Sequence, residues 1–188
     1  MKKIILFASG SGSNAEKIIL HFEKNSQVNV VGIFTNNPNA KVLERTKKYN
    51  IPSQLISKTA LYGSEFLKTI VEINPDLIVL AGFLLKFPTS IINKFPNKVI
   101  NIHPALLPKY GGLGMYGMNV HKAVLENNEL ESGITIHYVN ENYDDGEFIF
   151  QHSVNISNCK SPEEVAEKVQ ELEHQYLLKV VEQLLNQN

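Results

Sequence analysis

The sequence lacks the features that mark secreted and membrane-spanning proteins. Cys159 is its only cysteine, so no intramolecular disulfide can form, as is typical of the reducing cytoplasm. The apolar run near the N-terminus, residues 4–8, is too short for a membrane span or for the core of a signal peptide. We therefore expect a cytoplasmic protein without a membrane partner.

An excess of positive charge is also absent. Eighteen lysine and arginine residues stand against 19 aspartate and glutamate residues, which gives a formal net charge of −1. That balance argues against nucleic acid as the main partner. Over 188 positions, 43% hydrophobic and 20% charged residues are typical of a globular domain with a sizeable core. We expect a single domain over residues 1–188, monomeric or homodimeric.

Short apolar runs alternate with amphipathic stretches through the first hundred residues. Helices are predicted from the spacing of apolar residues at 13–24, 40–50, 63–73 and 89–94. Strands are predicted around them, at residues 3–8, 28–34, 53–56, 77–81 and 99–101. Strands of nearly continuous Ile, Val and Leu that are separated by helices indicate an α/β fold. We expect a mostly parallel, Rossmann-like sheet with helices on both faces.

The second half of the chain has a different pattern. Residues 133–140 and 147–156 are adjacent strand-like runs, which predict a mixed or antiparallel edge on the parallel sheet. A long C-terminal helix then begins at Ser161-Pro162, with Ser at the N-cap and Pro at the first helical position. Ligands of such sheets bind beyond the carboxyl ends of the strands, so the segments that follow those strands are the candidate site.

One of these segments contains an amide and an imidazole two residues apart. Asn101 ends a predicted strand and His103 follows two residues later, so their side chains lie on the same side of the extended backbone. Pro104 and Pro108 stiffen the chain behind them. An Asn that donates a hydrogen bond and a His that moves a proton are suited to the attack on a carbonyl. For a lone Asn-x-His, strand capping and turn stabilisation are the alternative roles.

A glycine-rich loop follows the first predicted strand. Gly10, Gly12 and Ala15 match the dinucleotide pattern G-x-G-x-x-A, but residues 35–38 at the end of the second strand contain no carboxylate for a ribose. The loop therefore predicts a site for one phosphate, where backbone amides and a helix N-terminus attract an anion. A tight strand-to-helix turn without a ligand is the alternative.

Three other segments carry residues that could take part in chemistry. One carboxylate of Asp144-Asp145, in the turn between the last two strands, could fold against His103, although such a turn is also often simply solvated. Residues 80–87 are apolar enough to hold a flat aromatic cofactor, or to form a buried corner. Gln170 and Glu173 lie on one face of the last helix, where solvation is the ordinary role. Residues 111–118 are a glycine-rich candidate lid.

With these residues in view, the chain resembles the folate-dependent phosphoribosylglycinamide formyltransferases of purine synthesis along essentially its whole length. The core of the motif, Asn-Ile-His-Pro-Ala-Leu-Leu-Pro at 101–108, is shared by formyl transferases in general. Residues 10–14, Gly-Ser-Gly-Ser-Asn, resemble the glycinamide enzymes in particular. The rest of the signature is His121-Lys122-Ala123, Gly133-Ile134-Thr135-Ile136-His137, Asp144-Asp145-Gly146 and Gln151.

The resemblance implies a role for each matching position. Asn101 and His103 match the catalytic pair, and Asp144 rather than Asp145 matches the carboxylate that supports the histidine. The loop that holds the substrate phosphate is matched by Gly12, Ser13 and Asn14. The residues near the glycinamide end are matched by Gln170 and Glu173. The site of the folate pterin is matched by Leu84, Leu85, Lys86 and Phe87, with Asn101 also touching the formyl group.

The implied reaction transfers a formyl group from 10-formyltetrahydrofolate to the primary amine of phosphoribosylglycinamide. Residues 1–100 would form the phosphate-binding half, and residues 101–188 the catalytic, folate-contacting half. No metal is expected, since the histidines show no metal-ligand spacing. Three alternatives remain: another amine acceptor, such as a charged initiator tRNA or a sugar nucleotide; a hydrolase that releases formate; and a non-catalytic nucleotide-binding module.

Overall fold

The computed structural model describes residues 1–187, and within them strands and helices alternate along most of the chain. The strands are β1 (Lys2–Phe7), β2 (Val28–Thr35), β3 (Ser53–Leu55), β4 (Leu77–Leu80), β5 (Val99–His103), β6 (Glu131–Tyr138) and β7 (Phe148–Asn155). The helices are α1 (Ser13–Phe22), α2 (Val42–Lys47), α3 (Lys58–Leu61), α4 (Ser64–Ile73), α5 (Thr89–Lys94), α6 (Met118–Glu126) and α7 (Pro162–Gln187).

All of these strands join one sheet in the order β3-β2-β1-β4-β5-β6-β7. The pairs from β3 to β5 are parallel, whereas β5–β6 and β6–β7 are antiparallel. The predicted α/β class, with a mostly parallel sheet, a mixed edge and a long C-terminal helix, is confirmed. The parallel strands all run in the same direction, so the loops after β1, β4 and β5 meet at one edge of the sheet.

The core lies on both faces of the sheet, as the apolar strands require. Along β1, Ile4 and Leu6 pack into one apolar cluster with α1 and α7, and Ile5 and Phe7 pack into another with α4 and α5. Alternate side chains of a strand point to opposite faces, so a strand that is buried on both sides must be apolar throughout. Each fully buried Ile or Leu contributes roughly 1.5–3 kcal/mol to folding.

Besides shifts of a few residues at other element ends, two helices and one strand differ from the sequence-based assignment. The short helix α3 and the helix α6 were not predicted, since Gly-rich residues precede α6 and conceal its periodicity. Val120 and Val124, one helical turn apart, bury α6 against the core. Strand β5 runs two residues further than expected and includes His103, because β6 pairs with it up to that residue. Within the described residues, no helix is both long and apolar enough to cross a membrane.

Candidate functional site

A cavity of about 420 Å³ opens at the carboxyl ends of β1, β4 and β5. Its walls come from the loops that follow these strands, from His121 on α6 and from α7, whose Gln170 and Glu173 face it. Three segments that are far apart in sequence therefore meet there: the glycine-rich loop, the Asn-x-His strand end and the Asp144 turn. This is the edge where the connectivity predicts a ligand.

The catalytic candidates on β5 are held in a buried hydrogen-bond network. His103 is only 4% exposed, and its Nε2 lies 2.7 Å from the carbonyl oxygen of Tyr110. A carbonyl oxygen only accepts, so Nε2 carries the proton and donates. The other ring nitrogen, Nδ1, lies 3.4 Å from Oδ1 of Asp144. Both nitrogens of His103 therefore face acceptors, an arrangement suited to an imidazolium that donates from each side.

The tight turn between β6 and β7 positions Asp144. Asp144 adopts a left-handed conformation with φ 52°, and a Cβ at Gly146 would lie 1.6 Å from the Tyr138 carbonyl oxygen, so the turn requires glycine there. The Gly112 amide donates to Oδ2 of Asp144 at 2.9 Å. Asp145 instead is exposed and accepts from Asn142 at the surface. Of the two acids, the turn brings Asp144 to the histidine.

The ionisation of Asp144 reflects these contacts. Burial alone raises its pKa, but the hydrogen bond from His103, the nearby ring of His137, the positive charge of His103 and the Gly112 amide together outweigh burial. These contacts hold the pKa of Asp144 well below its usual range. The carboxylate is therefore charged at neutral pH and stabilises positive charge on its neighbours.

His137, on the neighbouring strand β6, completes the cluster, and sequence analysis left its role open. Its Nδ1 donates to the Tyr138 carbonyl oxygen at 2.9 Å, so its Nε2 accepts from Nδ2 of Asn101 at 3.2 Å. Nδ2 of Asn101 also lies 3.4 Å from Oδ1 of Asp144. The alternation of His137 with apolar residues along β6 was the available sign that it faces the same side as Asn101, to which it is paired in register.

His121 is a further histidine at the cavity, one for which sequence analysis assigned no metal. It is 5% exposed, and its Nδ1 has no hydrogen-bond partner among the described residues. Burial lowers the pKa of His121, and the nearby His103 lowers it further. It is therefore a neutral ring in the cavity wall at neutral pH. No group of three His, Cys, Asp or Glu side chains suited to a metal ion occurs in residues 1–187.

The glycine-rich loop turns from β1 into α1 at the other side of the cavity. Gly12 has φ +72°, and a Cβ there would lie 2.5 Å from Cβ of Val42, so only glycine fits. The first helical hydrogen bond runs from the Glu16 amide to the Gly12 carbonyl, so the amides of Ser13 and Asn14 before it have no intrahelical acceptor. Such donors at a helix N-terminus are suited to hold an anion.

Both residues that sequence analysis singled out on the C-terminal helix, Gln170 and Glu173, contact this loop. Asn14 donates from Nδ2 to Oε2 of Glu173 at 2.9 Å, and Gln170 donates from Nε2 to Oγ of Ser13 at 3.3 Å. Burial raises the pKa of Glu173 to about 7, against the opposing effects of Asn14 and the charge on His103. The structure thus brings together the five residues that sequence analysis assigned to substrate: Gly12, Ser13, Asn14, Gln170 and Glu173.

The apolar segment predicted to hold folate meets the cavity only at its beginning. Leu84 lines the cavity, together with residues 81–83. Phe87 instead belongs to the core, where its ring lies 5.0 Å from that of Phe7, and Leu85 packs against the same apolar cluster. Lys86 is exposed, and its carbonyl accepts from Tyr62. A cofactor at this wall would contact residues 81–84, the first half of the apolar run 80–87, and among the four residues implied by the resemblance it would contact only Leu84.

The glycine-rich stretch after the Asn-x-His strand forms the remaining wall. Residues 112–117 line the cavity, and Leu113 among them is 87% exposed. Gly112 holds Asp144, so this stretch is tied to the catalytic candidates at its first residue. Its action as a lid remains a prediction.

Comparison with known proteins bears on this arrangement. The formyl transferase family model matches residues 2–181. The chain is 38% identical over 187 residues to the chloroplastic phosphoribosylglycinamide formyltransferase of Arabidopsis thaliana, covering 96% of this chain and 64% of that protein. It is 34% identical over 194 residues to the phosphoribosylglycinamide formyltransferase of Bacillus subtilis, covering 100% and 97% of the two chains.

A solved structure has the same fold as this chain. The crystal structure of phosphoribosylglycinamide formyltransferase from Bacillus halodurans superposes with a TM-score of 0.87 at 34% identity, covering 98% of this chain and 95% of the other. The chain spans about 64% of the length of the Arabidopsis relative and 61% of that of a relative from Vigna unguiculata. The family match covers every strand of the sheet and every residue that lines the cavity. This chain belongs to the formyl transferase family.

Proposed function

We propose that this protein transfers the formyl group of 10-formyltetrahydrofolate to the primary amine of phosphoribosylglycinamide, giving the N-formyl product and tetrahydrofolate, a step of purine synthesis. One observation carries the proposal: the cluster of Asn101, His103 and Asp144 shares a single cavity with the amide-lined loop at Gly12. The cluster suits formyl chemistry, and the loop suits a phosphorylated acceptor. Relatives named for this activity support the same acceptor.

The chemical step needs stabilisation of negative charge. The amine nitrogen attacks the formyl carbon, a carbon–nitrogen bond forms, and the formyl oxygen gains negative charge in the tetrahedral intermediate. Asn101 donates to this oxygen. Its contact with Asp144 is 3.4 Å, at the long end of hydrogen-bond distances. This N–H can therefore leave Asp144 and donate to the negatively charged formyl oxygen instead. A preorganised donor of this kind is worth roughly 3–4 kcal/mol.

His103 supplies the second donor and the route for the proton. It gives up its contact with the neutral Tyr110 carbonyl and keeps Asp144, because the carboxylate is the stronger partner for a charged ring. Collapse of the intermediate breaks the bond between the formyl carbon and the folate nitrogen N10. The proton lost by the attacking amine is delivered to N10, through His103 or through a water held by Asp144. No covalent enzyme intermediate is needed.

Substrate and cofactor take opposite sides of the cavity in this proposal. The phosphate lies against the amides of Gly12, Ser13 and Asn14, and the sugar–glycinamide portion lies along Gln170 and Glu173 of α7. The folate ring lies at the wall that begins with Leu84, with its formyl group towards Asn101. Small molecules are the expected partners, in the cytoplasm, with the chain as a monomer or homodimer.

A single assay tests the proposal and its alternatives. Purified protein is mixed with 10-formyldideazafolate or 10-formyltetrahydrofolate and phosphoribosylglycinamide, and transfer is followed by absorbance. We expect turnover in the wild type and its loss in His103→Ala. Formate release without any transfer would instead indicate a hydrolase, and no reaction until another amine is supplied would indicate a different acceptor. Either result would overturn the proposed acceptor.

A further inference from the structure

Arg45, on α2, is the only arginine of the chain, and it lies directly behind the glycine-rich loop. Its Nε donates to the carbonyl oxygen of Ser11 at 2.8 Å, and its Nη1 donates to Oε2 of Glu16 at 2.6 Å. Its planar guanidinium therefore bridges the loop to the first turn of α1. Lysine, with a single ammonium group, does not offer this fork of fixed donors.

The partner that holds Arg45 is itself fixed. Glu16 is 15% exposed at its side chain, and Oε1 of Glu16 accepts from Lys48 at 2.8 Å and from Tyr49 at 3.2 Å. Hydrogen bonds from Lys48 and Arg45 lower the pKa of Glu16 to about 2 against the effect of burial, so the carboxylate is charged at neutral pH. Arg45 is thus oriented by a carboxylate that Lys48 and Tyr49 also hold.

The direction of the loop carbonyls determines the direction of the loop amides. In a trans peptide the C=O of one residue and the N–H of the next point in opposite directions. The Gly10 carbonyl accepts from the Val42 amide at 3.2 Å, and the Ser11 carbonyl accepts from Arg45, so both carbonyls point towards α2. The amides of Ser11 and Gly12 therefore point away from α2, towards the cavity that the loop lines.

Only one of these two carbonyls is held by a side chain. The Gly10 carbonyl is fixed by main chain alone, whereas the Ser11 carbonyl depends on Arg45. A peptide free to turn would present the Ser11 oxygen to an anion and repel it. Among the described residues, those that line the cavity include Ser11 and Gly12 but not Arg45. Arg45 would then act on the anion through the loop and not by contact.

We infer that Arg45 is a positioning residue, which fixes the Ser11–Gly12 peptide so that its amide faces the phosphate of the substrate. The inference rests on the proposed function for the identity of that substrate, but not for the presence of an anion. It predicts that loss of Arg45 weakens phosphate binding and leaves the chemistry at His103 intact.

The test compares Arg45→Gln with Lys48→Gln. Each variant removes one positive charge that is paired with Glu16, but Lys48 contacts no loop carbonyl, so it controls for charge. We expect Arg45→Gln to raise the KM for phosphoribosylglycinamide and the inhibition constant of inorganic phosphate about tenfold, which corresponds to one charge-assisted hydrogen bond. In Arg45→Gln, we expect kcat and the KM for folate to change by less than about threefold. In Lys48→Gln, we expect changes of less than about threefold in kcat, in both KM values and in the phosphate inhibition constant.

Other outcomes are decisive as well. Equal effects in Arg45→Gln and Lys48→Gln would show that the loss of positive charge, and not the positioning of the loop, weakens phosphate binding, and this would overturn the inference. An unchanged phosphate inhibition constant in Arg45→Gln would overturn it as well. Arg45→Lys keeps the charge without the fork and is expected to resemble Arg45→Gln; wild-type phosphate affinity in Arg45→Lys would also overturn the inference.

If the wild type transfers no formyl group, the proposed function fails. The inference is then tested by the rise in melting temperature with inorganic phosphate, which Arg45→Gln should lose and Lys48→Gln should keep.

Discussion

Asn14 donates a 2.9 Å hydrogen bond from Nδ2 to Oε2 of Glu173, which lies 159 residues further along the chain. The bond ties the first turn of α1 to α7 at the edge of the cavity. Asn14 is 8% exposed, and its Oδ1 has no partner in residues 1–187. Since the side-chain amide is engaged by Glu173, the phosphate of the proposed substrate would be bound mainly by main-chain amides, and Asn14 would hold the helix that faces them.

Replacing Glu173 by Gln should remove a pH dependence of stability. Burial raises the pKa of Glu173 from 4.5 to about 7, so between these values the folded state keeps a proton that the unfolded state releases. The stabilisation is fully present below the unfolded pKa and is lost as pH rises through about 7. Its upper limit is about 3 kcal/mol. Gln keeps the acceptor for Asn14 but does not titrate.

Urea unfolding of wild type and Glu173→Gln between about pH 5 and pH 8 measures this effect. We expect similar unfolding free energies at the acid end and a more stable variant at the alkaline end. The exposed neighbour Glu171→Gln is the control, and its curve should run parallel to that of the wild type. Parallel curves for Glu173→Gln as well would show that Glu173 titrates normally.

Two glycines of the same loop should differ sharply in their tolerance of alanine. Gly12→Ala adds a Cβ 2.5 Å from Val42 at a residue with φ +72°, so we expect a loss of about 2–4 kcal/mol from overpacking and backbone strain. Gly10 has no atom within 4 Å of a Cβ position. Gly10→Ala should therefore fold with the stability of the wild type, which thermal unfolding will check. Equal losses in both variants would contradict the packing argument.

Much of the fold, and the placing of the catalytic candidates Asn101 and His103 on one strand face, could be predicted from the sequence because they depend on local order. Asn101 and His103 share a strand face through a period of two, and Ile/Val-rich strands between helices specify a parallel sheet. The choice between Asp144 and Asp145 does not depend on local order in this way. It depends on a left-handed residue and on the close approach of Gly146 to Tyr138, which no local pattern displays.

Some contacts between distant segments had no signal in the local sequence. His137 was recognisable as a strand residue, but its bond to Asn101 depends on the antiparallel register of β6 against β5. Phe87 has the composition of a cofactor wall, yet it packs on Phe7 because the chain turns into the core after residue 84. In each case the partner was set by tertiary packing and not by spacing.

His137 should act on turnover through Asn101. His137→Phe removes the acceptor at Nε2 that orients the Asn101 amide, so we expect kcat to fall about tenfold, the worth of one hydrogen bond, with little change in either KM. Steady-state kinetics measure the split. His152→Phe, which alters a surface histidine next to Tyr176, is the control and should keep the wild-type kcat. A KM effect without a kcat effect would place His137 in binding instead.

The carboxylate that contacts His103 should be indispensable for turnover. Asp144→Asn keeps an acceptor for the Gly112 amide but loses the charge that pairs with His103, so we expect kcat to fall at least about 100-fold. The hydrogen bonds that hold the pKa of Asp144 below its usual range also contribute stability at neutral pH, which is lost only as pH falls through the folded pKa. The variant should therefore fold with a lower Tm and an unchanged circular dichroism spectrum.

Asp145→Asn is the matched control for this prediction, since it makes the same chemical change one residue away at the surface. It should keep both the wild-type Tm and the wild-type kcat. The pH profile of kcat separates charge from shape: because Asp144 stays ionised to well below pH 4, it adds no acid limb above that pH in the wild type. Near-normal turnover in Asp144→Asn, or an equal loss in Asp145→Asn, would remove Asp144 from the mechanism and leave formyl transfer to Asn101 and His103 alone.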